Sequence, residues 1–130
     1  MRYSDSQQKI FSVFGSQAWV NQDIITVPQD VVPLDTTNEY VRISIVPSGQ
    51  GINLISLSGI CIIDIFTAFG EGPSRANEIA DKLDVFLMGI TIEGVVQFGQ
   101  STLLPKGRDK DTPSQARYSY TIPFNYFGVN

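Results

Sequence analysis

The stretch Leu57–Gly89, LSGICIIDIFTAFGEGPSRANEIADKLDVFLMG, decides the fold. Its first half, Leu57 to Phe69, is mostly apolar on both alternating faces. One carries Leu57, Gly59, Cys61, Ile63, Ile65 and Phe69, the other Ile60, Ile62, Phe66 and Ala68. Side chains alternate across a strand, so such a run must be covered on both sides and belongs in the middle of a sheet. Gly70-Glu71-Gly72-Pro73 then breaks the strand and starts a helix, where the missing N–H of a proline in the first turn has no bond to lose. From there Ala76, Ile79, Ala80, Leu83, Phe86 and Leu87 step by three and four along one apolar stripe, while Arg75, Glu78, Asp81, Lys82 and Asp84 mostly fall off it. Gly89 is a suitable stop.

Upstream of this unit, Tyr40 to Val46 alternates cleanly, with Val41, Ile43 and Ile45 inward and Tyr40, Arg42 and Ser44 outward. Pro47 and the PSGQG turn end it, and the short return at Gln50–Asn53 predicts antiparallel pairing with the long apolar strand. Tyr3 to Phe14 is predicted as a short amphipathic helix with apolar positions at Tyr3, Ile10, Phe11 and Phe14, a cap at Ser4 or Ser6, and an end at Gly15. Between them, Ser16 to Glu39 loses all periodicity around Pro28 and Pro33. Trp19, Ile24, Ile25, Val31 and Val32 are too apolar for a disordered linker, so a long structured arm is expected, with a short strand at Ile24–Val27.

Downstream, Ile90 to Leu104 predicts a strand or two with a bulge, and Pro105 to Ser114 (PKGRDKDTPS) a charged, turn-rich loop. Gln115 to Phe127 alternates strictly, with Ala116, Tyr118, Tyr120, Ile122, Phe124 and Tyr126 on one face, and Pro123 assigns its later half to a sheet edge. No internal repeat is present. The expectation is a single domain over residues 1–130, with an arm at about 16–39 and a loop at about 105–114. Its class is α+β, a mostly antiparallel (mixed) sheet with two helices packed on one side.

Composition narrows the function classes. The 130 residues are 42% hydrophobic and 17% charged, and the low charge suits either a surface partly hidden against partners or an uncharged polar surface. A net charge of −4, with the densest basic group (Lys106, Arg108, Lys110) interleaved with Asp109 and Asp111, argues against a nucleic-acid binder, which needs clustered cations to neutralise phosphate. The single cysteine, Cys61, sits mid-strand and reads as a small buried hydrophobe, compatible with a reducing compartment. The polar start, MRYSDSQQ, lacks a signal-peptide pattern, and no apolar run approaches the roughly 20 residues of a membrane-spanning helix. Synthesis in cytoplasm is expected.

There is no histidine, which removes the commonest general base and metal ligand, and one buried cysteine leaves no thiolate metal site or cysteine nucleophile. No catalytic, cofactor-binding or metal-ligating residue is therefore assigned. Asp64, between Ile62 and Phe66, needs an explanation as a charge on an apolar strand. Three readings compete: pairing with Arg42 or Arg117 across the sheet, a place at an oligomer interface or lumen, and a catalytic carboxylate, for which no second acid is evident. Gly70-Glu71-Gly72 has the wrong spacing for a phosphate loop, and no lysine follows. The aromatic stripe of the last strand lacks the basic surround of a base-stacking platform and reads as core or as a face covered by another subunit.

The run Leu57-Ser58-Gly59, Ile63-Asp64-Ile65-Phe66, Gly70-Glu71-Gly72, Ala76, Ile79-Ala80-Asp81, Leu83 and Phe86 resembles the tail terminator, or minor tail completion, proteins of long-tailed bacteriophages. Members commonly show a short first helix, an apolar strand with a glycine and an acid-containing patch, a Gly-x-Gly turn, a helix with spaced Ala, Asp, Leu and Phe, and an aromatic last strand. The Trp19-to-Val46 region is compatible, while a longer proline-rich arm around Asp30–Thr37 departs from the pattern. The resemblance implies a structural virion protein and not an enzyme. Its working unit would be a homo-oligomer, a hexameric ring that caps the tail tube, ends its polymerisation and offers the surface on which the filled head docks.

The implied partners are further copies of itself, the tail tube protein and a head-completion or connector protein. DNA would pass through without specific binding, and no membrane and no cofactor is involved. Contact elements are expected in the arm (Ile24, Ile25, Val31, Val32, Leu34) and the charged loop (Lys106, Arg108, Lys110), with Asp64 facing a neighbour or the channel. Alternatives are a neck or head–tail connector protein, a small-molecule-binding α+β module, and a carboxylate enzyme.

Overall fold

The structure is a computed structural model that describes residues 2–29, 39–50, 56–68, 70, 72–108 and 115–128. Helix α1 (Arg2–Phe14) and the short α2 (Gln17–Val20) are followed by strands β1 (Ile25–Pro28), β2 (Tyr40–Gln50) and β3 (Leu57–Ala68). Helix α3 (Ser74–Leu87) leads into β4 (Thr91–Ile92), β5 (Val96–Phe98), β6 (Thr102–Arg108) and β7 (Gln115–Tyr126). The seven strands form one sheet in the order β1-β2-β3-β7-β5-β4, with β6 also paired to β7. Among the described strands only β1 and β2 run parallel, and every other pair is antiparallel. The α+β class expected from the sequence is the one observed.

The apolar strand sits where its pattern requires, between β2 and β7 at the centre of the sheet. Its odd-numbered face (Leu57, Cys61, Ile63, Ile65) joins Val41 and Ile43 of β2 and Tyr120, Ile122, Phe124 and Tyr126 of β7 in the main core. Ile79, Leu83 and Leu87 of α3 and Ile10 and Phe14 of α1 belong to the same core. Gly59 is required by close packing: a Cβ there would lie 2.6 Å from the Val46 carbonyl oxygen and 2.9 Å from the Phe124 ring.

Trp19 ties three elements together. Its indole packs edge-on against Phe14 of α1 and Phe86 of α3, each at 5.2 Å between ring centroids, and its N–H donates to Thr26 Oγ1 of β1 at 2.9 Å. Ser16 caps α2, accepting from the Trp19 N–H. The turn into α3 needs its glycines, since Gly70 and Gly72 have φ of +97° and +81°. Gly89 ends the helix at φ +72°.

Several boundaries differ from expectation. The irregular arm contains α2, and its strand is Ile25–Pro28; residues 30–38 lie outside those described. Strand β2 continues through Pro47 to Gln50 by shifting register between Pro47 and Gly49. The charged loop begins later than its composition suggests, because Pro105 to Arg108 complete β6, again across a register shift. Neither Ser4 nor Ser6 is a cap: both lie inside α1, and the Ser6 hydroxyl donates to the Tyr3 carbonyl.

Pro123 gives the largest correction. Strand β7 is central throughout, with β3 along one side and β6 and β5 in succession along the other. Pairing with β6 reaches Thr121 and pairing with β5 resumes at Phe124, so Pro123 falls at the break between them. Its carbonyl accepts from the Gly99 N–H at 2.9 Å on that side. The donor that proline lacks is missing only where the neighbouring strand is interrupted.

Candidate interaction surface: the open face of the sheet

All three helices contribute to one side of the sheet, and the even-numbered side chains of β3 face away from it. Four consecutive cross-strand rows form the middle of that opposite face. They are Tyr40–Phe66–Arg117, Arg42–Asp64–Ser119, Ser44–Ile62–Thr121 and Val46–Ile60–Pro123. Thr102 and Leu104 extend two of the rows onto β6, and Ile25 and Val27 extend two onto β1.

Asp64 lies in the middle and is 5% exposed. Its carboxylate accepts from Ser119 Oγ at 2.9 Å and from Arg117 Nη2 at 3.1 Å. Of the three readings of this residue, cross-strand pairing is the one the geometry displays, and Arg117 is the partner. The other arginine, Arg42, stands opposite Asp64 in register but spreads over the Phe66 ring at 5.2 Å and the Tyr40 ring at 6.0 Å. Tyr40 and Phe66 stack at 4.5 Å with 17° between their planes, and with Val27 they form a small second apolar cluster. One guanidinium therefore pairs with the carboxylate, and the other lies over the neighbouring rings. The Nε atoms of Arg42 and Arg117 are both buried without a hydrogen-bond partner, which leaves donor capacity and one positive charge uncompensated within the trio.

The expectation that β3 is covered on both faces is met on the helix side and only partly on this one. Phe66 and Asp64 are buried at the middle of their rows, and the cover thins toward the flanking strands β1 and β6 and toward the Val46–Ile60 row. Val46, Ile60, Ile25 and Leu104 stay 43%, 38%, 41% and 52% exposed, a scatter of large apolar side chains on one sheet face.

The expected contact residues divide. Ile25 is exposed on β1, and Lys106 and Arg108 are exposed at the end of β6. Ile24 is buried in the main core, so it is not a contact residue: the turn before β1 points it inward beside Trp19 and α1. Val31, Val32, Leu34 and Lys110 lie outside the described residues. Val46 shares the outward parity of Tyr40, Arg42 and Ser44, whereas Leu104 carries no signal in the sequence that separates it from core positions. For Leu104, only the register shows which way it faces.

On the helix side, ionisable groups serve to fix elements. Asp84 of α3 accepts from the Tyr120 hydroxyl and from Ser101 Oγ, each at 2.6 Å, and Asp5 of α1 accepts from Tyr126. Burial, then the bond to Asp84, raises the Tyr120 phenol above its usual range, and burial followed by Asp5 raises Tyr126 to about 12. Burial alone lifts the Cys61 thiol to about 12, as suits a group packed inside the core. Glu39 grips Arg75 through two hydrogen bonds of 2.8 and 3.0 Å, tying the start of α3 to the start of β2. Among the described residues, no three Cys, Asp or Glu side chains gather as a metal site would require, and no helix is long and apolar enough to cross a membrane.

One groove of about 390 Å³ lies between α1 and the outer ends of β1 and β2. Tyr3, Phe11, Pro28, Ile45 and Pro47 line it together with Ser6, Gln7 and Gln29. Ser6 is bonded to its own helix, and Gln29 Oε1 accepts from the Ile45 N–H, so two of its three polar side chains are already engaged.

No family model matches the chain, and no curated protein matches it in sequence. By fold it is similar to a solved structure with which it shares 13% identity at a TM-score of 0.63, over 99% of this chain and 90% of that one. At that identity the likeness shows the fold alone, an α+β domain matched over almost its whole length.

Proposed function

We propose that the protein is a structural subunit of a long-tailed bacteriophage virion, a tail terminator that assembles into a ring on the end of the tail tube. In this reading the ring, a hexamer, stops tube growth and presents its other side to the head-completion or connector protein. DNA passes through without specific binding. The work done is steric, one face fitting the tube's open end and the other offering no site for another tube subunit, so no catalytic residue is invoked.

The observation that carries the reading is the strand–turn–helix of Leu57–Gly89. The residues that resemble the family are the ones that build β3, the glycine turn and α3. A half-open sheet face bearing exposed apolar side chains, on a chain of low charge, supports a protein that functions in contact with others. Asp64 is held by Arg117 and Ser119, so its role is to organise that face.

The test is assembly with polymerising tail tube protein. Tubes formed in the presence of the chain should stop growing and carry a ring at one end in electron micrographs. Tubes that lengthen at the same rate, with bare ends, would refute the reading.

A further inference from the structure

We infer that the open face of the sheet receives helix α3 of a second copy of this chain, in a head-to-tail contact. The inference rests on the ring reading for its setting and adds the surfaces that join neighbours. Helix α3 buries Ile79, Leu83 and Leu87 against the sheet, and its opposite side carries Glu78, Asp81, Val85 and Met88 at helical spacing. Val85 is 75% exposed and Met88 44%, on the surface of a helix whose inner stripe is fully buried. The outward stripe is thus acidic at its N-terminal end and apolar at its C-terminal end.

The open sheet face is its complement. Arg42 and Arg117 bring one more positive charge than Asp64 cancels, and Val46 and Ile60 lie two rows from Arg42 and three from Arg117. Four residues along a strand span about 13 Å. Glu78 to Met88, ten residues of helix, spans about 15 Å. A helix laid along the strands can therefore set its acids over the arginines and its apolar end over Val46 and Ile60 together. Glu78 is engaged with Arg75 in an exposed i,i+3 pair, a contact weak enough to yield to a new partner. The two patches lie on opposite sides of one molecule. A two-fold dimer would mate a patch with itself, acid on acid; matching them requires a repeating head-to-tail contact, which closes into a ring or runs on as a filament.

Val85→Glu spoils the helix patch and Ile60→Glu the sheet patch, each at an exposed position. Leu104→Glu is a second sheet-side variant should Ile60→Glu melt early. Native mass measurement should find the wild type assembled and each variant at the mass of one chain. An equimolar mixture of the two variants should form a one-to-one dimer, because each retains one good patch. Variants that assemble like the wild type, a mixture that stays monomeric, or a wild type monomeric at its highest soluble concentration would each overturn the inference. An assembled wild type that caps tubes, with variants that do so equally well, would refute this contact while leaving the terminator reading standing.

Discussion

The two faces of β3 are nearly equal in sequence and very unequal in the folded chain. Leu57, Cys61, Ile63 and Ile65 are sealed beneath α1 and α3, whereas Ile60 is 38% exposed on the other side and Asp64 is held there by hydrogen bonds. An apolar face is thus a demand for cover that the chain itself does not always supply. Where it supplies helices, the face becomes core. Where it supplies only flat-lying arginines and a stacked aromatic pair, the face remains half open and suited to contact.

The contrast is broken or sharpened most strongly by truncating each face in turn. Ile63→Ala should cost about 2–5 kcal/mol in urea unfolding, the range for opening a cavity in a closed core. Ile60→Ala on the monomer should cost under about 1 kcal/mol, because its site is already partly solvated; equal losses would erase the distinction. Asp64→Ala should remove about 1–3 kcal/mol by stripping Ser119 and Arg117 of their acceptor. The loss stays below that of a fully buried ion pair, since the Arg117 side chain is 41% exposed and can rehydrate. A neutral Asp64→Ala would show that the arginines do not depend on it.

Cys61→Ser places a hydroxyl in the sealed core without a new partner and should cost about 1–2 kcal/mol, visible as a lowered Tm. The same core confers alkaline sensitivity. The unfolded chain loses the Cys61 and Tyr126 protons near 9 and 10, the folded chain only near 12. The stability these groups contribute is complete below pH 9 and drains as pH rises through about 12. A melting temperature flat from pH 8 to beyond this window, about three pH units, would show that neither group is shielded. Smallest of all, Val85→Ser should leave the stability of the monomer within about 0.5 kcal/mol of the wild type.

Much of the fold was legible because its signals are local. The doubly apolar run, the glycine turn and the three-and-four stepping of α3 each state their own structure. The long-range placement was not. Pro123 read as an edge residue, because the rule assumes an unbroken neighbour, and the β5–β6 break that accommodates it is a tertiary fact. Residues Pro105 to Arg108 have loop composition, yet pair with β7 through a register shift that composition does not encode. Asp64 announced itself as an anomaly, and pairing with Arg117 was one of its foreseen partners. That Arg42 would instead lie on Tyr40 and Phe66 depended on ring geometry. Ile24 and Ile25 are adjacent and chemically identical; only the turn before β1 decides that one is core and the other surface.

The position of β7 has a consequence for how the protein is made. It follows the other described strands in sequence, yet it lies between β3 on one side and β5 and β6 on the other. Until residue 126 has left the ribosome, the sheet exists only as separate parts, β1-β2-β3, β4-β5 and a β6 whose pairing strand is still missing. The inner edge of β3, the most apolar strand in the molecule, then waits unpaired. Pairing so distant in sequence is slow to form and exposed to aggregation in the meantime. A nascent chain halted before Gln115 should be a strong client for chaperones that bind extended apolar segments, and release of the last strand is the event that ends that dependence.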